Sequence, residues 1–197
     1  MDNKNELFSY HKNALLNNLC KEWDGRWNKC HDDKEKLVRL ALNQQSLPHF
    51  INFSYRGLGL SKEYILEEFK DYINGKYKAI NADDVAGGYK SELFVDCDEE
   101  IKGSDDVAAF MWCKTDLSVE KCKAIKIYIG CGSEINLSCR GYNSVVVMLF
   151  DDSTLILGDI DKESTVTIYR YSEKSNVEAT SGCLTDKVRC FDKELRL

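Results

Sequence analysis

The side chains able to do chemistry in this chain fall mainly into two sets, acidic doublets and cysteines. Asp96, Asp98, Glu99 and Glu100, then Asp105-Asp106, Asp151-Asp152 and Asp159 with Asp161, punctuate the second half. Paired carboxylates of this kind hold calcium or divide general acid and base roles in pectin-degrading enzymes. A substrate groove of that type needs many coils and long projecting loops, and the chain has neither the length nor the insertions. Acidic turns also keep stacked strands soluble and unpaired at their ends, which is the role expected of them. A carbohydrate-active enzyme therefore stands as the weakest of three functional readings, tested by alanine at Asp151 or Asp152.

The nine cysteines (Cys20, Cys30, Cys97, Cys113, Cys122, Cys131, Cys139, Cys183 and Cys190) are odd in number and form no CxxC. The nearest approach to a metal-ligand pair is Cys30-His31, whose side chains cannot both face one metal from a regular helix. Most cysteines lie in apolar or alternating stretches such as MWCK and LSCR, where a reduced thiol behaves as a small buried hydrophobe. That reading fits a reducing cytoplasm. His11, His31 and His49 are too scattered to form a catalytic set by spacing and read as surface or capping residues. Trp23 and Trp27 have the faces to stack a sugar or base, but their four-residue step places them in a helical core. The segment GLGLS at 57–61 could receive an anion on free amides. It lacks a following lysine in the cradle position, so a plain helix-entry turn is expected. No GxxxxGK[ST], GxSxG, HExxH or GxGxxG occurs, so none of those motifs specifies a reaction here.

The elements that must position these residues change period partway along the chain. In the first third, Leu16, Cys20, Trp23, Trp27 and Cys30 recur at helical steps and predict one amphipathic stripe. Asp32-Asp33 suit the start of a second helix carrying Leu37, Leu40 and Ala41 inward, and Pro48 opens a short turn or third helix through Ile51, Phe53 and Tyr55. Ser61 caps a fourth, with Ile65, Phe69, Tyr72 and Ile73 inward, Leu60 and Ile65 as a hydrophobic staple, and Gly75 at its end. The stretch 81–91, with its Gly-Gly pair, reads as a joint.

From residue 92 the pattern is that of strands: LFVDC (93–97), AAFMWC (108–113), IKIYIG (125–130), VVVMLF (145–150), TVTIYR (165–170) and VRCF (188–191). Ile125, Val145 and Thr165 stand twenty residues apart, as do Ile127, Val147 and Thr167. Minor strands INLS (135–138) and TLIL (154–157) lie between, entered through Ser133 and Ser153, with an echo at Ser175 and NVEA (176–179). Two short strands and tight turns every twenty residues predict one coil of a β-solenoid, repeated five or six times. An antiparallel sandwich, whose turns recur at half that spacing, is the competing arrangement. The fold class expected is thus α+β: a helical domain over residues 1–80, a linker at 81–91 and a β-solenoid over 92–197.

Charge divides along the same boundary. Residues 1–90 carry 14 basic and 13 acidic groups, whereas residues 91–197 carry 13 and 20. Neither half has the positive excess that gripping phosphates requires, so nucleic acid is not an expected partner. With 43% hydrophobic and 11% aromatic residues the chain should bury a core. It has no apolar run of membrane-spanning length and no evident secretory signal.

The segments LCKEWDGRWNKC, LALNQQ and GLGLSKEYILEEFKDYINGKY, followed by a strand-rich tail beginning LFVDCD, resemble uncharacterised proteins of phages and integrated elements of gut Bacteroidales. The resemblance implies a mobile-element setting and carries no catalytic residues. No catalytic, cofactor-binding or metal-ligating residue is assigned, and the chain is not expected to be an enzyme. The leading expectation is a cytoplasmic interaction factor that binds a protein partner and inhibits a host function. A virion structural component, which would form a homo-oligomer, is the alternative.

Overall fold

A computed structural model of the protein describes residues 4–81, 88–103, 106–120, 123–183 and 185–194. Among the described residues five helices come first: α1 (Lys4–Leu16), α2 (Lys21–Cys30), α3 (Lys34–Ala41), α4 (Leu47–Tyr55) and α5 (Lys62–Glu68). Twelve strands follow: β1 (Ala79–Asn81), β2 (Tyr89–Val95), β3 (Ile101–Lys102), β4 (Val107–Met111), β5 (Lys114–Glu120), β6 (Lys123–Gly130), β7 (Glu134–Arg140), β8 (Asn143–Leu149), β9 (Thr154–Ile160), β10 (Thr165–Arg170), β11 (Asn176–Ala179) and β12 (Val188–Asp192). The α+β class and the solenoid of about five coils are those the sequence predicts.

Three of the predicted helix starts hold for the predicted reasons. Asp33 caps α3 by accepting from the Lys36 N–H, and Pro48 sits in the first turn of α4. Ser61 caps α5 by accepting from the Tyr64 N–H. Two expectations need correction. The stripe from Leu16 to Cys30 is not one helix, because Asn18 takes a left-handed conformation (φ 66°) and closes α1. The Leu19 N–H reaches the Ala14 carbonyl and the Asn18 N–H that of Leu15, the paired bonds of a Schellman motif. Leu16 and Cys20 consequently face solvent. The helix capped by Ser61, α5, stops at Glu68 rather than Gly75; beyond it Asn74 is held on β2, where its side chain exchanges hydrogen bonds with the Val95 backbone.

The strands wind into two sheets, β1-β2-β4-β6-β8-β10-β12 and β11-β9-β7-β5-β3. Every ladder is parallel except β1 against β2, which excludes the antiparallel sandwich. Ile127, Ile129, Val147 and Leu149 from the first sheet and Ile135, Leu137 and Leu155 from the second form a dry column between them. In the second sheet burial alternates residue by residue, as in β5 and β7, because its other face meets solvent.

Coil length drifts along the solenoid. Ser91 pairs with Val107, Val107 with Lys126, Ile125 with Val145, Val145 with Val166, and Val166 with Val188. The steps thus run 16, 19, 20, 21 and 22 residues. The expected match of Val145 to Thr165 is therefore one residue short. The register between β7 and β9 slips after Leu137, so that Cys139 pairs with Ile160. Gly158 takes up the extra residue against Ser138 and Asn136, where a Cβ would come within 2.7 Å of the Ser138 hydroxyl.

The helices lie on the outward face of the first sheet. Leu42, Leu47, Phe50 and Ile51 share one apolar cluster with Leu93, Val107, Ala109, Met111 and Phe150. Strand β4 is accordingly buried at all five residues. Contact is close at Gly130, where a Cβ would stand 2.1 Å from the Ile51 side chain of α4. Of the expected linker, residues 82–87 lie outside the described residues. Tyr89–Ser91 already belong to β2, and β1 pairs with it at the opposite margin.

Candidate functional site

In three of the acidic pairs one carboxylate, Asp106, Asp151 or Asp161, fastens neighbouring coils. After β2, β4, β6 and β8 the chain turns through Asp96, Trp112, Cys131 and Asp151, each with positive φ, a conformation uncommon outside glycine. Asp151 is 7% exposed. It accepts from the N–H groups of Cys131 (2.6 Å) and Gly132 (3.2 Å) one coil earlier, and from the Ser153 hydroxyl (2.8 Å). Burial raises its carboxyl pKa, and these three donors pull the other way.

The same backward reach recurs elsewhere. Asp106 accepts from the Lys90 N–H at 2.9 Å and Asp161 from the Gly141 N–H at 2.7 Å. Ser133 and Ser153, both fully buried, accept from the Cys113 and Ser133 N–H groups in turn. At the opposite corner Asn143 accepts from the Lys123 N–H and donates to the Ser164 hydroxyl. Asp96 pairs with Lys62 of α5 at 3.0 Å. Asp98, Glu99, Glu100, Asp152 and Asp159 project to solvent, and Asp105 lies outside the described residues. Asp151, with both oxygens committed to donors, is a poor candidate for general acid or base.

The cysteines divide by depth. Cys113, Cys131 and Cys139 are buried in or beside the solenoid. Burial pushes the Cys113 and Cys139 thiols up to about 12 and raises the Cys131 thiol as well. Such thiols are unreactive at neutral pH. Cys30 is buried in the helical head and also shifted up by burial. Cys20 and Cys190 depart from the core expectation and are exposed, while Cys122 lies outside the described residues. Among the described residues no group of three His, Cys, Asp or Glu side chains converges as metal ligands would.

In the head, the glycine-rich turn at 57–61 does receive an anion, but an internal one. The Glu6 carboxylate of α1 accepts from the Ser61 N–H and hydroxyl at 2.9 Å each. It thereby ties the first helix to the capped start of α5. Of the histidines, only His31 ends a helix. His11 instead stacks on Trp27 at 4.8 Å and bonds Asp24 at 2.8 Å, joining α1 to α2. His49 is half-buried on α4, where burial lowers its pKa.

Trp23 and Trp27 are only partly buried, because they flank a void. A cavity of about 340 Å³ lies among α1 to α5, walled by Tyr10, Ala14, Trp27, His49, Phe50 and Phe53 among others. The Tyr10 ring meets Trp27 edge-on at 5.0 Å and Phe50 and Phe53 at 6.1 Å. Sequence reasoning raised Trp23 and Trp27 as a stacking pair but missed Tyr10, His49 and Phe50 as their companions. Only convergence of four helices reveals them. Comparison with protein-family models, with curated proteins and with solved structures finds no match to this chain.

Proposed function

We propose that the protein is a non-enzymatic interaction factor that binds a protein partner at the outer edge of β12. The single observation behind this reading is that β12 ends the first sheet without a further strand among the described residues. Lys193 donates its N–H inward to the Arg170 carbonyl. By strand alternation the backbone groups of Val188, Cys190 and Asp192 point away from β10. An extended partner segment can pair with such a row by strand addition. Phe191, 45% exposed, offers an apolar anchor beside it. The partner segment should be basic, because residues 91–197 carry 20 acidic groups against 13 basic ones. For the same reason a second copy of this chain is a poor occupant. The mobile-element setting and the inhibition of a host function rest on the sequence resemblance alone, and neither is needed for the binding mode.

Cys190→Pro tests the reading, since proline removes an outward N–H without taking a bond from the β10 ladder. Wild-type protein should be monomeric by light scattering and should capture from a host lysate a protein that Cys190→Pro fails to retain. An unchanged capture would overturn the binding mode. A concentration-dependent oligomer abolished by the same substitution would assign the edge to self-association, as in a virion component.

A further inference from the structure

The cavity in the helical head is partly open to solvent and far exceeds the water-sized voids that close packing leaves. Its volume of about 340 Å³ falls within the roughly 300–1,000 Å³ typical of small-molecule sites. In a chain with 30% charged residues, no Asp, Glu, Lys or Arg lines it. The walls are mainly aliphatic and aromatic, drawn from α1 to α5 and from Leu93 of β2, with Asn17, Asn18, Gln45 and Ser46 among the uncharged polar residues.

Tyr10 and His49 are wall residues whose polar groups lack a partner among the described residues. Tyr10 is 8% exposed, and no hydrogen bond joins its hydroxyl to another described residue. Its burial alone raises the phenol pKa. The His49 ring likewise makes no hydrogen bond among the described residues, and burial keeps it neutral at pH 7. Both groups are free to hydrogen-bond a molecule seated against this wall.

We propose that this cavity is a binding site for a neutral, largely hydrocarbon small molecule with one or two hydrogen-bonding groups, met by Tyr10 and His49. Size follows from a reference case: a dry cavity of about 150 Å³ holds benzene, so this one takes about a dozen non-hydrogen atoms. Neutrality follows from the lining, because an ionised group would be stripped of water with no counter-charge to meet it. The Trp27, Phe50 and Phe53 rings favour a flat or extended hydrocarbon over a polar sugar. The site is separate from the β12 edge, and the two proposals stand or fall independently.

Titration calorimetry on the full chain with 2-naphthol and 1-decanol, each matched for size, tests this directly, with decanoate at pH 8 as the charged control. Both neutral probes should bind one-to-one and compete, with decanoate at least about tenfold weaker. Tyr10→Phe should weaken 2-naphthol by about threefold to tenfold, the range of one net hydrogen bond. Ala14→Phe, which places a ring in the void from α1, should abolish binding, and Ala41→Phe does the same from α3 should the first variant fail to fold. Failure of both neutral probes to bind would overturn the proposal and leave the cavity to an apolar side chain of a partner protein. Binding unaffected by either filling variant would place the probes elsewhere and overturn it equally, as would decanoate binding as tightly as decanol.

Discussion

The solenoid and the helical head bury comparable kinds of side chain but hold them by different means. The coils from β2 to β9 repeat one plan: an apolar residue inward at every second position, a left-handed corner, and a serine, asparagine or aspartate bonding between neighbouring coils. The head has no repeated plan. It relies on single-use devices, the Glu6–Ser61 bond, the His11–Trp27 stack and the Lys34–Glu68 pair, and it closes imperfectly around a cavity. Repetition lets one good solution be copied until the core is dry, whereas a set of one-off contacts leaves a void where the helices diverge.

Three perturbations break or sharpen that contrast. The largest is alkaline pH. The Cys113, Cys131 and Cys139 thiols are raised in the folded protein by burial, so their contribution is fully present below the ordinary thiol range and is lost as pH rises toward the folded values. Between pH 9 and 11 the stability read from urea unfolding should fall, by up to about 1.4 kcal/mol per pH unit for each thiol. Replacing Cys139 by alanine should flatten the slope while lowering stability at pH 7. A slope unchanged in that variant would show that the solenoid core is wetter than its packing implies.

The second perturbation compares equivalent deletions. Leu137→Ala removes a fully buried side chain from the solenoid column and should cost about 3–5 kcal/mol. Leu40→Ala removes a half-buried one from the cavity wall and should cost about 1 kcal/mol. Equal losses by urea denaturation would erase the distinction between a dry core and a hollow one.

The smallest difference lies between two carboxylates. Asp151→Asn leaves one oxygen to serve two backbone N–H groups and turns an amide donor toward them, at a cost of about 2 kcal/mol. Glu6→Gln should cost about 1 kcal/mol, because the Ser61 hydroxyl can reverse and accept from the new amide.

The same contrast explains what could be read in advance. The strands over Ile125–Ile129, Val145–Leu149 and Thr165–Tyr169 were legible because alternation and repetition reinforce each other. The reading slipped by one residue only where Gly158 absorbs an insertion that no residue pattern announces. In the head, the capping residues Asp33 and Ser61 and the early Pro48 of α4 act within their own helix turns, so they too were legible. Asn17-Asn18 was the missed sign of a helix end, masked by a stripe that continues at helical spacing on either side. The Glu6–Ser61 bond spans 55 residues, and Tyr10, His49 and Phe50 meet Trp27 only through tertiary packing. Such relations leave no local trace. The acidic doublets were visible as turns, but their backward bonds to the preceding coil depend on a register that only the stacked strands define.

The drift from 16 to 22 residues per coil also governs what this molecule can build with copies of itself. A rod grown by seating one copy on the next would have to match a narrow rim to a wide one, leaving backbone groups of the larger rim without partners. The taper thereby frustrates indefinite end-to-end growth and gives the two ends distinct shapes, so that a visitor suited to one does not fit the other.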